Sequence, residues 1–400
     1  MNKKQLFLWA LYDFANSIIY INFALYFSVW IVVDAGLSDF WYNSLFAFST
    51  LFLLATAPFL AARVDRKGGR KLLLNIATVG TFIGYGLTAV LASNNSHVWY
   101  IALAFLVGLY FYQLAYVFLN PMLDEIADHA HRSRASGIGQ LASSLGFVAG
   151  IAFAIPFASS RTGPLLPSVF AFLILALPMM IFFKETRKID TIAPDLNLKT
   201  RRMAIFFTTS LATPMLVAFF FFNDALVSVS NNYSIYLERV FHTSDSTKSI
   251  LLAIVLGMSA VGAIVGGWIG DKIGALKTIK FILIGWVILL PLIAVAQSLW
   301  ILAVLTIITG FLLGSIWTVT RSYLSVVLPK EDMNYGFSFY AIMERFATLI
   351  GPLTWGGIIW YMGTEPIAYR TAMAVMTIFV FVGLIILMSW KKLKVPIVIK

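Results

Sequence analysis

The sequence contains no cysteine and few charged side chains. Without thiols it can form no disulfide, thiolate metal site, iron–sulfur cluster or cysteine nucleophile. Charged residues make up 12% of the 400 residues and hydrophobic residues 60%, whereas about 25% charged is usual in a soluble protein. This composition excludes a soluble enzyme and indicates that lipid is the main solvent.

Several sequence motifs of enzymes are also absent. There is no G-x-x-x-x-G-K-[ST] phosphate loop, and neither H-E-x-x-H nor G-x-S-x-G occurs. His129 and His131 lie near acidic residues, but a spacing of two favours a hydrated connector over a metal site. We therefore expect no enzymatic activity, metal or cofactor, and a gradient as the source of energy.

Twelve apolar stretches follow one another along the chain. Each is long enough, or nearly so, to cross a bilayer as a helix, and their continuous apolar character differs from the alternation of β-barrel strands. The sequence therefore predicts an all-α polytopic membrane protein with twelve transmembrane helices, the first retained and not cleaved as a signal peptide. The stretches lie at about residues 5–33, 40–62, 72–92, 98–120, 136–159, 164–183, 204–229, 248–270, 279–296, 299–320, 335–362 and 367–390.

The 29 Lys and Arg residues are unevenly distributed. Arg161, Arg239, Lys248 and Arg370 fall on one side of the predicted membrane and Arg345 falls inside the eleventh stretch. The other 24 fall on the opposite side, at the termini and in the connectors after even-numbered stretches. Because basic loops stay cytoplasmic, we expect both termini in the cytoplasm. The net charge of +11 thus reports orientation and not a nucleic-acid partner. We expect a monomer in a bacterial cytoplasmic (inner) membrane.

A long polar segment divides the twelve stretches into six and six. We predict a first six-helix bundle at 1–183, a cytoplasmic linker at 184–203 and a second bundle at 204–400. Similar residues recur in the two halves at nearly constant separation. The pairs are Asp65 and Asp271, 206 residues apart, Asp13 and Asp224, 211 apart, and Gly146 and Gly351, 205 apart. Such a half-chain repeat is typical of many secondary transporters.

This doubled pattern resembles the major facilitator superfamily. The segments Leu11–Ser17 (LYDFANS), Asn120–Ala127 (NPMLDEIA) and Arg132–Gly139 (RSRASGIG), with a further block from Arg321 to Pro352, resemble the autophagy-related vacuolar amino-acid effluxers and their bacterial relatives. Ala61, the extra Gly69 and Ala225 depart from the expected pattern.

The resemblance implies the two-bundle major facilitator fold, with helices one, four, seven and ten lining a central cavity. It also implies alternating access and export of a small polar metabolite such as an amino acid, possibly coupled to protons or another ion. Export of a drug, a sugar or a siderophore is the alternative within this superfamily. A membrane receptor or scaffold that transports nothing is the alternative outside it.

Four ionisable residues are predicted at membrane depth, where their cost makes each a functional candidate. Asp13 and Asp224 occupy corresponding stretches and are predicted to form a coupling or substrate-binding pair. An unpaired carboxylate in a dehydrated cavity costs several kcal/mol, so a proton, a substrate cation or Arg345 must neutralise it. A permanent ion pair with Arg345, or a hydrogen-bonded gate, is the alternative. Arg345 itself suits a substrate carboxylate, or pairs with Glu344 or Asp224.

Further polar residues on the predicted cavity helices form a second group of candidates for the cavity. Side chains of these types also hold membrane helices together, so helix packing is the alternative for each. The group comprises Asn16, Asn22, Gln113, Asn223, Asn231, Asn232 and Arg321.

Two connectors resemble the gating loop of the superfamily. In such a loop an aspartate bonds the free N–H groups of a neighbouring helix, while an adjacent cation finds a carboxylate. A solvated basic loop is the alternative, but it does not explain the repeated aspartate. The residues are Asp65, Arg66, Arg70 and Lys71 in the first half, and Asp271 and Lys272 in the second.

Overall fold

The computed structural model describes residues 2–126, 132–185, 205–206, 210–329 and 333–389. Within these ranges the regular structure is helical, and no β-strand occurs. The predicted all-α class is confirmed.

The chain forms two compact units. The first unit comprises Met1–Ala193 together with Ser244–Ser249, and the second comprises Pro194–Thr243 together with Ile250–Lys400. Residues 186–203 of the predicted linker lie outside the described residues, so the linker stays a prediction.

The first unit contains seven of the helices that the structure describes, and two of them begin with side-chain caps. Asn2 accepts the backbone N–H of Gln5, and Ser38 accepts that of Trp41, as is usual for Asn and Ser at this position. The helices are α1 (Lys3–Asn22, continued by π-helical turns Phe23–Phe27 and Trp30–Asp34), α2 (Asp39–Lys67), α3 (Arg70–Ser93), α4 (Val98–Leu119), the short α5 (Leu123–Ile126), α6 (Arg132–Ala154) and α7 (Leu165–Phe182).

The second unit contains the remaining described helices, although the first turn of α9 packs with the first unit. They are α8 (Thr213–Phe241), α9 (Asp245–Ile273), α10 (Ala275–Val295), α11 (Leu299–Val327), α12 (Met333–Phe346), α13 (Ile350–Met362) and α14 (Pro366–Ser389).

Eleven helical segments of the described residues are long and apolar enough to cross a membrane. They correspond to eleven of the twelve predicted stretches, and α12 with α13 occupies the remaining one. Large apolar side chains such as Phe59, Ile264 and Trp300 are exposed on these helices, as expected for surfaces that contact lipid. The predicted multi-pass membrane architecture is confirmed.

The prediction of one continuous helix over 335–362 is wrong. The helix breaks between α12 and α13, where the amides of Thr348 and Leu349 bond carbonyls only three residues back, at Arg345 and Phe346. Pro352 follows directly. Because proline has no N–H and its ring clashes with the carbonyl four residues earlier, it cannot continue a regular helix through this point. It is tolerated in the first turn of α13.

Candidate substrate and coupling site

Asp13 lies on α1 and is partly exposed. The hydroxyl of Tyr116 on α4 donates to Asp13 Oδ1 at 3.3 Å. The backbone carbonyl of Asp13 accepts the hydroxyl of Ser17 at 3.0 Å, and Ser17 also bonds the hydroxyl of Ser143 on α6 at 2.8 Å. The helix crossing is therefore tied by backbone and serine groups, while the carboxylate points to a phenol.

The other polar candidates of the first unit bind elsewhere. Asn22 donates to the carbonyls of Ile18 and Gly150, and Gln113 bonds Ser49 at 2.9 Å and Thr50 at 3.4 Å across α2 and α4. These bonds fit the alternative of helix packing. Asn16 is buried, and its Nδ2 has no hydrogen-bond partner among the described residues.

Asp224 lies on α8 and is fully buried. Its Oδ2 accepts the backbone N–H of Gly351, in the first turn of α13, at 2.7 Å. Its Oδ1 has no hydrogen-bond partner within the part of the chain that the structure describes. Helix N-termini have unused N–H groups and a positive dipole end, so Asp224 stabilises the start of a half-helix.

The side chains of the three asparagines that the sequence analysis names on α8 are also buried. Asn223 accepts the indole N–H of Trp317 on α11 at 3.1 Å, and Asn232 donates to the carbonyl of Ser228 at 2.9 Å. Asn231 is 4% exposed. The structure thus gives Asn223, which precedes Asp224 in the sequence, an aromatic hydrogen-bond partner.

The predicted charged residues of α11 and α12 are partly exposed. The Arg321 guanidinium lies over the Tyr340 ring, 5.9 Å from its centroid, and that ring stacks on Phe219 at 4.2 Å. Glu344 and Arg345 follow on α12, where the Arg345 carbonyl accepts the hydroxyl of Thr348 in the helix break. Arg321 and Arg345 thus both lie in the second unit, on α11 and α12.

Two carboxylates bind the connector of the first unit that is predicted to be a gating loop. Arg70 bonds Glu125 at 3.1 Å with both side chains largely buried. The amides of Gly69, Arg70 and Lys71, at the start of α3, donate to Glu185. The sequence analysis missed Glu185; the four unused N–H groups at the start of α3 were the signal that an acceptor was needed.

The predicted role of Asp65 stays a prediction, because the side chains of Asp65 and Arg66 lie outside the described residues. The corresponding loop of the second unit is more exposed. Asp271 is exposed there, and the ammonium of Lys272 lies over the Trp268 ring, 3.7 Å from its centroid.

A second ionic cluster of the first unit was also missed. Arg161 bonds Asp34 at 2.8 Å and Asp245 at 3.0 Å, and Asp245 also binds Lys248 at 2.6 Å. The Lys248 side chain is fully buried. The basic residues that the sequence assigns to the opposite side from the termini therefore include two that hold an acidic cluster together.

The described residues contain no group of three or more His, Cys, Asp or Glu residues that could hold a metal ion.

The profile of the Major Facilitator Superfamily matches residues 9–231 and 215–397. The MFS-type transporter YxiO of Bacillus subtilis is 27% identical over 391 residues, covering 88% of this chain and 87% of its own. The multidrug resistance protein MdtG of Dickeya zeae is 25% identical over 365 residues, covering 84% and 82%. Among solved structures, the nucleoside transporter NupG superposes with a TM-score of 0.73 at 12% identity, over 96% of this chain and 99% of that one.

The structural likeness to NupG extends over nearly the whole chain and shows the fold alone. The profile matches cover both halves and agree with the multi-pass helical architecture. They assign the chain to a family of membrane transporters, which are not enzymes and which carry small molecules. The protein is a member of the Major Facilitator Superfamily.

Proposed function

We propose that the protein exports a small polar metabolite, such as an amino acid, by alternating access and in exchange for protons. The observation that carries the proposal is Asp13, a partly exposed carboxylate within a membrane span, held by the phenol of Tyr116. A carboxylate at membrane depth costs free energy, and its presence there supports a proton or substrate pathway.

The second unit supports a substrate that also carries a carboxylate. Arg321 and Arg345 are partly exposed on membrane helices, and a guanidinium group binds carboxylates through two parallel hydrogen bonds. Basic groups on these helices suit a solute that carries a carboxylate, as an amino acid does. The resemblance of the Leu11–Ser17 and Asn120–Ala127 segments to the vacuolar amino-acid effluxers favours the same substrate class.

The protein would act as a monomer in a bacterial cytoplasmic membrane, with both termini inside. The distribution of basic residues supports this orientation. A reporter fused after Lys400 should then be active in the cytoplasm, and one placed near Thr243 outside.

Drug export is the second candidate function. Relatives that match more than four-fifths of the chain include multidrug resistance proteins named MdtG. A partly exposed aspartate would also attract a cationic drug, so these relatives and Asp13 together support this candidate.

The test has two stages. Metabolites released by cells with and without the protein are compared first, which identifies the solute. Proteoliposomes loaded with that solute are then studied at two imposed pH gradients, with wild type and Asp13→Asn. We expect the wild type to export faster as the receiving side becomes more acidic. Asp13→Asn should lose this dependence while still exchanging solute at saturating concentration.

Tyr116 on α4 and the adjacent Tyr12 are the titratable side chains that the described contacts place near Asp13. A Tyr116→Phe variant in the same assay shows whether the phenol takes part in proton exchange. Identical metabolite release with and without the protein would exclude export. Full pH-driven flux in Asp13→Asn would exclude Asp13 as the proton site.

A further inference from the structure

A continuous run of aromatic side chains extends from Asp13 across α1, α4 and α6. The Tyr116 hydroxyl donates to Asp13 Oδ1, and the Tyr116 ring meets Tyr112 edge-on with centroids 5.5 Å apart. Tyr112 stacks on Tyr20 at 5.9 Å and 18°. Tyr20 in turn packs against Phe147 at 6.1 Å. Three helices of the first unit therefore place one carboxylate at the end of four rings.

The spacing along the helices explains why these groups meet. Asp13 and Tyr20 are seven residues apart, so two turns of α1 separate them by about 10 Å on the same side of the helix. Tyr112 and Tyr116 are four residues apart and are neighbours on α4. The run is therefore as long as a small organic molecule.

Most members of this run are partly exposed. Asp13, Tyr20, Tyr116 and Phe147 are partly exposed, and Tyr112 is 8% exposed. A partly exposed carboxylate that faced hydrocarbon would be very costly, so we take the exposed part of Asp13 to face water or a solute. The rings that continue from it are thus placed to contact what Asp13 contacts.

The chemistry of these residues favours a ligand with a positive charge. A carboxylate attracts a cation, and the faces of tyrosine and phenylalanine rings also attract cations through their quadrupole. The rings offer contact surface for the apolar or planar part of the ligand. An anion of the same shape would be repelled by Asp13.

We propose that Asp13, Tyr20, Tyr112, Tyr116 and Phe147 form an acidic aromatic site that binds the positively charged nitrogen of the transported solute. The ligand class is a small organic molecule with an ammonium or quaternary ammonium group attached to a planar or apolar body. This inference rests on the proposed transport of a small solute and narrows it to organic cations and to zwitterions that carry an ammonium group. The carboxylate and the Tyr116 hydroxyl contact the charged nitrogen of the ligand, and the other rings contact its planar or apolar body.

The experiment measures binding to the full chain in lipid nanodiscs, with empty nanodiscs subtracted. Radiolabelled benzyltrimethylammonium is the probe, and benzyl alcohol and benzenesulfonate are its uncharged and anionic counterparts, all studied by equilibrium dialysis. We expect saturable binding of the cation and none of the other two. Asp13→Asn should weaken the binding at least tenfold, whereas Asp13→Glu, which keeps the charge, should weaken it less.

A matched pair of variants distinguishes a contribution of the Tyr20 ring to binding from an effect of the substitution on folding. Tyr20→Leu removes the ring and should weaken binding of the cation several-fold, while Tyr20→Phe keeps the ring and should stay within twofold of wild type. Thermal melts of each variant show that the protein is folded. Absence of saturable cation binding to the wild type would overturn the inference, as would unchanged affinity in folded Asp13→Asn or equal binding of benzenesulfonate.

Binding is measured without any gradient, so its failure differs from failure of the proposed function. Absence of cation binding together with intact pH-driven flux would contradict the inferred site but not proton-coupled export. Cation binding with flux that ignores the pH gradient would leave the site standing and remove the proton coupling.

Discussion

The two units contain the same helix crossing, built around a glycine. In the first unit α1 meets α6 at Gly146, where a Cβ would overlap the carbonyl oxygen of Phe14. In the second unit α8 meets α13 at Gly351, where a Cβ would overlap the hydroxyl of Ser228. Small residues allow this close approach of membrane helices. The two crossings therefore correspond in the internal repeat.

An aspartate and a serine accompany each glycine. The Ser17 hydroxyl donates to the Asp13 carbonyl at 3.0 Å, and the Ser228 hydroxyl donates to the Asp224 carbonyl at 2.6 Å. In both pairs the serine follows the aspartate by four residues. The backbone part of the crossing is therefore shared as well.

The two aspartate side chains have different hydrogen-bond partners because one of the helices that they pack against is broken. α6 runs through Gly146 without a break, so that amide is used inside the helix. α12 ends at Phe346, and the amide of Gly351 at the start of α13 is free for Asp224. In the first unit, Asp13 Oδ1 accepts the hydroxyl of Tyr116. A single break in one helix thus gives the two aspartate side chains different hydrogen-bond partners.

The largest expected effect concerns the glycine at the broken crossing. Gly351→Ala places a Cβ against Ser228 and 2.7 Å from the backbone oxygen of Asp224, and such overpacking costs about 1–3 kcal/mol, or more where the backbone must move. We expect a strong fall in folded yield and melting temperature, measured by fluorescence-detected size exclusion. Gly357→Ala on the same helix is the control, because a Cβ there meets nothing within 4 Å. Equal behaviour of the two variants would show that the crossing is not tight.

A smaller effect on melting temperature is expected to distinguish substitutions of Asp224 from substitutions of Asp13. Asp224→Ala removes the acceptor at the start of α13, and loss of a helix cap costs about 0.5–2 kcal/mol. We expect Asp224→Ala to lower the melting temperature of the protein by several degrees, and Asp13→Ala to leave it nearly unchanged while transport is lost. Asp224→Asn keeps an acceptor oxygen and should melt between Asp224→Ala and wild type. Similar melting losses in Asp13→Ala and Asp224→Ala would contradict the division of roles.

The sequence was sufficient to predict the helical class and the repeat, because both depend on long apolar runs and on residue spacing. The pairing of Gly146 with Gly351 could be read from the repeat alone. The break near Ala347 was not predicted, since the surrounding residues are as apolar as those of a continuous span and Pro352 is compatible with either a kink or a helix start. Hydropathy gives no information on the backbone hydrogen bonds that change at the break.

The candidate site was predicted only in part for the same reason. Asp13 and Asp224 stand out because charge is rare in lipid, but their different settings depend on the break in another helix. Tyr20, Tyr112 and Tyr116 give no comparable signal, because aromatic residues are frequent throughout this sequence, at 15%. The contact of Tyr116 with Asp13 and the contacts among the three rings require α1 and α4 to pack together, which one sequence does not reveal.

The smallest expected effect tests whether the two crossings differ in detail. At Gly351 the first obstacle to a Cβ is the Ser228 hydroxyl, whereas at Gly146 the obstacles are the Phe14 carbonyl and the Cβ of Ser17. Ser228→Ala removes the hydroxyl and should recover part of the loss in Gly351→Ala, with a coupling of about 1 kcal/mol in a double-mutant cycle. Ser17→Ala keeps the Cβ, so it should recover nothing in Gly146→Ala.

The cycle is measured as the melting temperatures of the single and double variants of each unit. Recovery is expected to be incomplete in the second unit, because the Asp224 backbone oxygen still lies 2.7 Å from the added Cβ. Equal recovery by Ser17→Ala and Ser228→Ala would show that the serine hydroxyl limits both crossings alike. In that case the helix break, and not the serine contact, would be the sole difference between the Asp13 and Asp224 positions.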